Sequence, residues 1–142
     1  MLDGLPPVMW FIRRHMRQHR TCGLSVPQFR TLCLLDRYPT ASLSLVAENL
    51  GCSQPSASRL VSGLVSRGIV TRREGATDRR QIELILTASG QRVLNKARAA
   101  TLDRLAAELE GMSEADRRTI ASAMTILNET FAKTLSPAPT NN

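Results

Sequence analysis

Apolar residues recur at helical spacing through most of this chain, and the period shortens to two in a single stretch. Pro6 and Pro7 open a segment in which Val8, Phe11, Ile12, His15 and His19 recur every three or four positions, with Arg13, Arg14, Arg17 and Arg20 on other faces. Ser25 followed by Pro27 reads as the N-cap and first turn of a second helix. Phe29, Leu32, Cys33 and Leu35 form its stripe, and it ends before Pro39. Residues 42–50 and 53–67 predict two shorter helices, closed by Gly51 and Gly68. Residues 69–74 and 81–86 then take on strand character, with Ile82, Leu84 and Leu86 alternating, and the polar stretch 75–80 joins them. Thr87 caps a long helix through Val93, Leu94, Ala97, Leu105 and Leu109 to Gly111. Ser113 and Asp116 start a last helix with the stripe Ile120, Met124, Leu127, Phe131 and Leu135. Residues 136–142 read as a frayed tail, and there is no internal repeat. The fold class is mainly α with a small β hairpin (α+β).

The stretch 45–60 carries the most specific pattern. Two short helices that cross need a small residue at the crossing, a glycine in the turn, and apolar residues locking one against the other. Ala47 is the small residue, Gly51 the turn, and Val46, Leu50, Cys52, Ala57 and Leu60 the lock. This is a helix-turn-helix. Around its second helix, Ala57, Leu60, Val61 and Leu64 share one face, while Pro55, Arg59, Ser62 and Ser66 lie opposite with Ser58 flanking. Small polar residues with one arginine suit a major groove, where bulk clashes and donors are needed. Gln54 sits at the amino end, where free N–H groups and the helix dipole favour phosphate. A solvated helical hairpin would share part of this pattern; the basic hairpin that follows weighs against it.

Charge strengthens the picture. The net charge is +7 over 142 residues, and it is uneven. Residues 1–37 carry six arginines against two acids, residues 53–98 nine basic residues against three, and residues 99–142 four against six. Basicity therefore gathers where a polyanion would be held. Seventeen of the nineteen basic residues are arginine, a bias that base composition of the genome also produces. Arg13 and Arg14 interrupt the apolar stretch 8–12, and Asp3, Gly4 and two prolines interrupt 2–12, so neither a membrane span nor a signal peptide is predicted. The expected location is cytoplasmic. Cys22, Cys33 and Cys52 form no CxxC pair. GxSxG, Walker, paired-glycine and HExxH signatures are absent, which points away from an enzyme and from a cofactor.

The stretch Asp78-Arg79-Arg80-Gln81-Ile82-Glu83-Leu84-Ile85-Leu86-Thr87-Ala88-Ser89-Gly90 resembles the wing signature of the MarR family of transcription regulators, matching at Asp78, Arg80, Leu86, Thr87 and Gly90. Ser53-Gln54-Pro55-Ser56-Ala57-Ser58-Arg59-Leu60-Val61 is similar to the family's recognition helix, and Arg67-Gly68-Ile69-Val70 to the segment after it. The helix order agrees as well. The resemblance implies a winged helix-turn-helix at 25–90, dimerisation helices at 1–24 and 91–135, and a tail at 136–142. It further implies a homodimeric repressor on a pseudo-palindrome in double-stranded DNA. The expected DNA contacts are Ser53, Gln54, Pro55, Ser56, Ser58, Arg59, Arg72, Arg73, Asp78, Arg79 and Arg80. A hairpin holds Arg79 and Arg80 at its tip, within reach of an electronegative minor groove, and Asp78 can orient the Arg80 guanidinium.

The signal is written less clearly. The resemblance implies a small aromatic or anionic effector, or an oxidant. Trp10, Phe11, Arg14, His15, Phe29 and Arg30 are the ligand candidates, combining ring stacking with anion pairing, although each aromatic alone also reads as core. For a thiol-based redox regulator the candidate is Cys22, in a loop after Arg20; Cys33 and Cys52 read as small hydrophobes. His15 and His19 have i, i+4 chelate spacing, but no acid or cysteine nearby in sequence completes a site, so no metal is assigned. The alternative from another class is a winged-helix module for protein contact without DNA.

Overall fold

A computed structural model of the protein describes residues 5–18, 21–75 and 81–132, with side chains at all of these but 5, 12, 15–18, 21 and 132. The elements run α1 (Leu5–Gln18), a short 3-10 turn (Thr21–Gly23), α2 (Val26–Arg37), β1 (Ala41–Ser42), α3 (Leu43–Leu50), α4 (Gln54–Ser66), β2 (Val70–Glu74), β3 (Ile82–Leu86), α5 (Ala88–Leu109) and α6 (Glu114–Ala132). The chain divides into two compact units, residues 1–103 and 104–142. No helix among the described residues is long and apolar enough to cross a membrane.

Serines start the helices of the first unit. The Ser25 hydroxyl accepts from the Gln28 N–H, and the Gln28 side chain accepts from the Ser25 N–H, a full capping box ahead of Pro27. Ser42 and Ser53 do the same work for α3 and α4, accepting from Leu45 N–H and Ser56 N–H. Both serines therefore stand just outside the helices that the sequence places them in. At the far end of α3, Gly51 N–H donates to Glu48 and Cys52 N–H to Ala47, which satisfies carbonyls the helix leaves open. That closure needs Gly51 in the left-handed region, at φ 66°.

The core of the first unit is apolar. Leu32 and Leu35 of α2, Val46 of α3, Ala57, Val61 and Leu64 of α4, Val70 of β2, Leu84 of β3, and Leu94 and Ala97 of α5 are buried together. Strands β2 and β3 pair antiparallel with Val70 opposite Leu86 and Arg72 opposite Leu84. β1 adds to the other edge of β3, giving the order β1-β3-β2. This third strand was not expected: two residues are too few to show a period. Cys52, expected in the helix-turn-helix lock, is exposed instead. Gly51 turns the chain out of α3 just before it, and Val46 and Ala57 fill the lock.

The exit of the hairpin is tied to the end of α4. Gly68 N–H donates to Val65 and Ile69 N–H to Leu64, closing the helix. Thr87 N–H then donates to the Ile69 carbonyl at 3.1 Å, and the Thr87 hydroxyl donates to the Gly68 carbonyl at 2.7 Å. The same hydroxyl accepts from Gly90 N–H at 3.0 Å, capping α5. The backbones approach so closely here that a Cβ on Gly90 would lie 2.1 Å from the Ile69 carbonyl oxygen. In the second unit, the Ser113 hydroxyl accepts from Asp116 N–H and donates to the Asp116 carboxylate at the start of α6.

Gly90→Ala is expected to destabilise the protein by at least about 2 kcal/mol, because the obstacle is backbone and cannot swing away. Gly63→Ala, whose Cβ would enter open space on α4, is expected to be neutral or stabilising by about 0.5–1 kcal/mol. Urea unfolding of the two variants measures both; equal midpoints would contradict the close approach.

Candidate nucleic-acid interface

Once α4 packs Ala57, Val61 and Leu64 inward, with Leu60 and Val65 beside them, its polar residues are fixed to the outer side by the 3.6-residue period. Ser53, Gln54, Pro55, Ser56, Arg59, Ser62 and Ser66 are exposed, and Ser58 is half-exposed. The outer face is thus small and hydroxylated around one long cation. The amino end is pre-ordered: the Ser53 hydroxyl donates to the Ser56 hydroxyl at 3.0 Å, and the Gln54 amide donates to Ser44 of α3 at 3.0 Å. Ser44 was not singled out in the sequence, since its role depends on how α3 and α4 cross.

The hairpin beside this face is also basic, and its two arginines point to different sides. Arg72 lies opposite buried Leu84, and paired residues share a face, so it lies on the side turned toward α4. Its guanidinium donates to the Ser62 hydroxyl at 2.9 Å. Arg73 lies on the other side and pairs with Glu83 directly across the ladder at 2.9 Å. Arg73 keeps over half of its side-chain surface exposed, so the pair is screened and contributes little stability. Gly75 N–H donates to the Gln81 carbonyl at 2.8 Å, closing the ribbon around the tip. Asp78, Arg79 and Arg80 lie outside the described residues, in the segment 76–80 between the two strands.

The described residues considered for sensing lie on α1, the short 3-10 turn and α2. The Arg14 guanidinium stacks over the Trp10 ring at 5.0 Å, and both side chains are exposed on α1. Phe29 is half-buried at the edge of the α2 core. Arg30 donates to the Asn49 carbonyl, at the end of α3, which places its charge against the negative end of that helix. The side chain of His15 lies outside the described residues, as does His19. Cys22, expected to be the exposed thiol, is half-buried against the core with its backbone at φ 60°, and the exposed thiol is Cys52. Burial pushes the Cys33 thiol up from its ordinary value, against the pull of the neighbouring Arg98 guanidinium. Among the described residues, no three His, Cys, Asp or Glu side chains gather as a metal site.

This arrangement of α2–α3–α4–ribbon coincides with known proteins. The MarR family profile matches residues 24–82. Over that stretch the chain resembles the MarR family. Its similarity to the HTH-type transcriptional regulator YfiV of Bacillus subtilis is 27% identity over 105 residues, which spans 74% of this chain and 66% of YfiV, just under two thirds of its length. Among solved structures, RV1404 from Mycobacterium tuberculosis superposes with a TM-score of 0.75 at 26% identity, covering 92% of this chain and 89% of RV1404. A variant of S. aureus MepR bound to an oligodeoxyribonucleotide shares the fold, with a TM-score of 0.63 at 18% identity and coverage of 89% and 97%. Winged-helix members of this family are transcription regulators and not enzymes.

An ion pair links α5 to α2 within the first unit. Arg98 of α5 meets Asp36 of α2 at 2.7 Å. The Arg98 hydrogen bond holds the Asp36 carboxyl below the usual carboxylate range, with a smaller contribution from Gln91. A lowered carboxylate stabilises the fold above its unfolded pKa, and that stability is lost as pH falls through the folded value. Asp36→Asn should therefore cost up to about 1 kcal/mol at pH 7, the partial exposure of both groups limiting it. The difference from wild type should shrink as pH falls below about 4. Chemical denaturation at pH 7 and pH 3 checks this; a difference that grows in acid contradicts it.

Proposed function

We propose that this chain regulates transcription as a homodimer on a pseudo-palindromic operator in duplex DNA, acting as a repressor that a small aromatic or anionic ligand releases. The observation that carries the reading is the outer face of α4, small and hydroxylated around Arg59, beside a ribbon that continues its positive charge. In this reading α4 enters the major groove and the ribbon tip reaches the adjacent minor groove. Gln54 and Arg59 read bases. One amide proton of Gln54 goes to Ser44, leaving its carbonyl oxygen and second proton for an adenine edge. Ser53, Ser56 and Ser58 position the helix on the backbone, with Pro55 keeping its entry slim, and Arg72 and Arg73 add positive potential. Asp78 orients Arg80, which enters the minor groove with Arg79.

Residues 25–90 are the DNA-binding part of this proposal, and 1–24 and 91–135 the dimerisation parts. Support for a dimer comes from exposed apolar side chains: Ile120, Met124 and Phe131 along α6, and Val8, Met9 and Trp10 on α1, are each more than a third exposed. Two-fold pairing puts the recognition helices about one helical turn, ~34 Å, apart. For the effector, the Trp10–Arg14 pair joins a ring face to a cation, a combination that suits an aromatic acid. Such a ligand releases DNA only to the extent that it prefers the subunit arrangement the operator rejects.

Selection of binding sites from random duplexes, followed by titration at fixed salt, tests the reading. Arg59→Ala is expected to lose about 1–3 kcal/mol on the selected duplex and to relax preference at one base position. Arg80→Ala should lose a similar amount if it reads the groove, without change in thermal stability. A wild type that selects no sequence, and a loss that is uniform over all sequences for Arg59→Ala, would each contradict the assignment of α4.

A further inference from the structure

The ribbon of β2 and β3 is supported by the core only at its base. Val70 and Leu84 are buried, whereas Arg72, Arg73, Glu74 and Ile82 are exposed. A two-stranded ribbon is marginally stable by itself, so its outer half needs another hold to keep a fixed direction. Among the described residues, the hydrogen bond from Arg72 Nη2 to Ser62 Oγ is the side-chain link between α4 and that outer half. It sits one helical turn along α4 from Arg59, on the same outward face. From Arg72 to the start of the tip is roughly 13 Å of strand, so a swing of about 10° displaces the tip by about 2 Å.

We propose that Arg72 and Ser62 form a positioning pair that sets the direction of the wing against the recognition helix, and thereby which flanking base pairs the wing tip tests. The inference rests on the DNA-binding reading above and assigns within it a role that neither residue type announces. Serine at 62 gives a short acceptor that leaves the groove face slim. Arginine at 72 spans the angle between helix and ribbon and offers one N–H of its five to the brace. Specificity in the flanks then depends on a residue that touches no flanking base, acting through the aim of the wing.

The test compares Ser62→Ala, Arg72→Ala and the double variant with wild type, all at exposed positions. Each single variant should lose about threefold or more of its discrimination among duplexes altered only under the wing, as loss of one hydrogen bond predicts. The double variant should lose no more than the worse single, because the two residues act as one unit. Discrimination among bases under α4 should fall by less than discrimination under the wing, and Arg72→Lys should recover part of the loss. In the DNA-free protein, β3 amides should exchange faster in both single variants. The proposal is overturned if Ser62→Ala matches wild type while Arg72→Ala weakens all duplexes alike with a salt slope lower by about one, the behaviour of a plain phosphate ligand. Unchanged exchange in both variants overturns it as well, whatever the DNA result. A wild type that binds no duplex refutes the DNA-binding reading instead, and shows before any variant is compared.

Discussion

The close contact of Thr87 and Gly90 with the Gly68–Ile69 backbone is the constraint on which the surface formed by α4 and the ribbon depends. At this point the end of α4, the exit of the ribbon and the start of α5 share one set of backbone groups. Ile69 offers its N–H to the α4 closure and its carbonyl to Thr87 N–H, while the Thr87 hydroxyl bonds Gly68 and caps α5. Buried backbone groups left unpaired are costly, so no one of the three elements can shift without disturbing the others. The absence of a side chain at Gly90 is what permits the contact. The Leu86-Thr87 and Gly90 pattern of the MarR family thus has a mechanical reading in this chain.

From that fixed corner the polar surface follows. The ribbon leaves the core at Val70 and Leu84, and strand alternation sends Arg72 to the α4 side and Arg73 to the other. The first is held by Ser62 and the second by Glu83, so the ribbon's arginines are partly spent on holding it in place. Arg67 and Arg30 are similarly committed, donating to the Gly23 and Asn49 carbonyls. Arg59 points outward from the middle of α4 without a described partner. A basic composition is therefore a poor guide to which arginines are free to meet a ligand; the geometry separates the bracing arginines from the outward Arg59.

Much of this was legible in the sequence, and what escaped has physical reasons. Helical spacing, serine caps and closing glycines locate α2, α3 and α4, and the alternation of Ile82, Leu84 and Leu86 locates β3, because these signals are local. β1 escaped because two residues have no period. Cys22 and Cys52 exchanged expected roles because exposure next to a turn depends on which way the chain leaves it, and both lie beside residues at positive φ. Ser44, Asn49 and the bracing role of Ser62 escaped for a different reason: each is an ordinary polar residue until a distant side chain reaches it. The outer face of α4, by contrast, was readable in full, since one helix wheel determines it once Ala57, Val61 and Leu64 face the core.

The central claim is geometric: one rigid corner presents a recognition helix and a wing to neighbouring grooves of the same duplex. Hydroxyl-radical footprinting on the duplex selected by the wild-type protein measures this directly. The account predicts protected windows in two half-sites whose centres lie about one helical turn apart, each flanked on its outer side by a minor-groove window from the wing. A single window, or half-site protection with no minor-groove window beside it, would contradict the account.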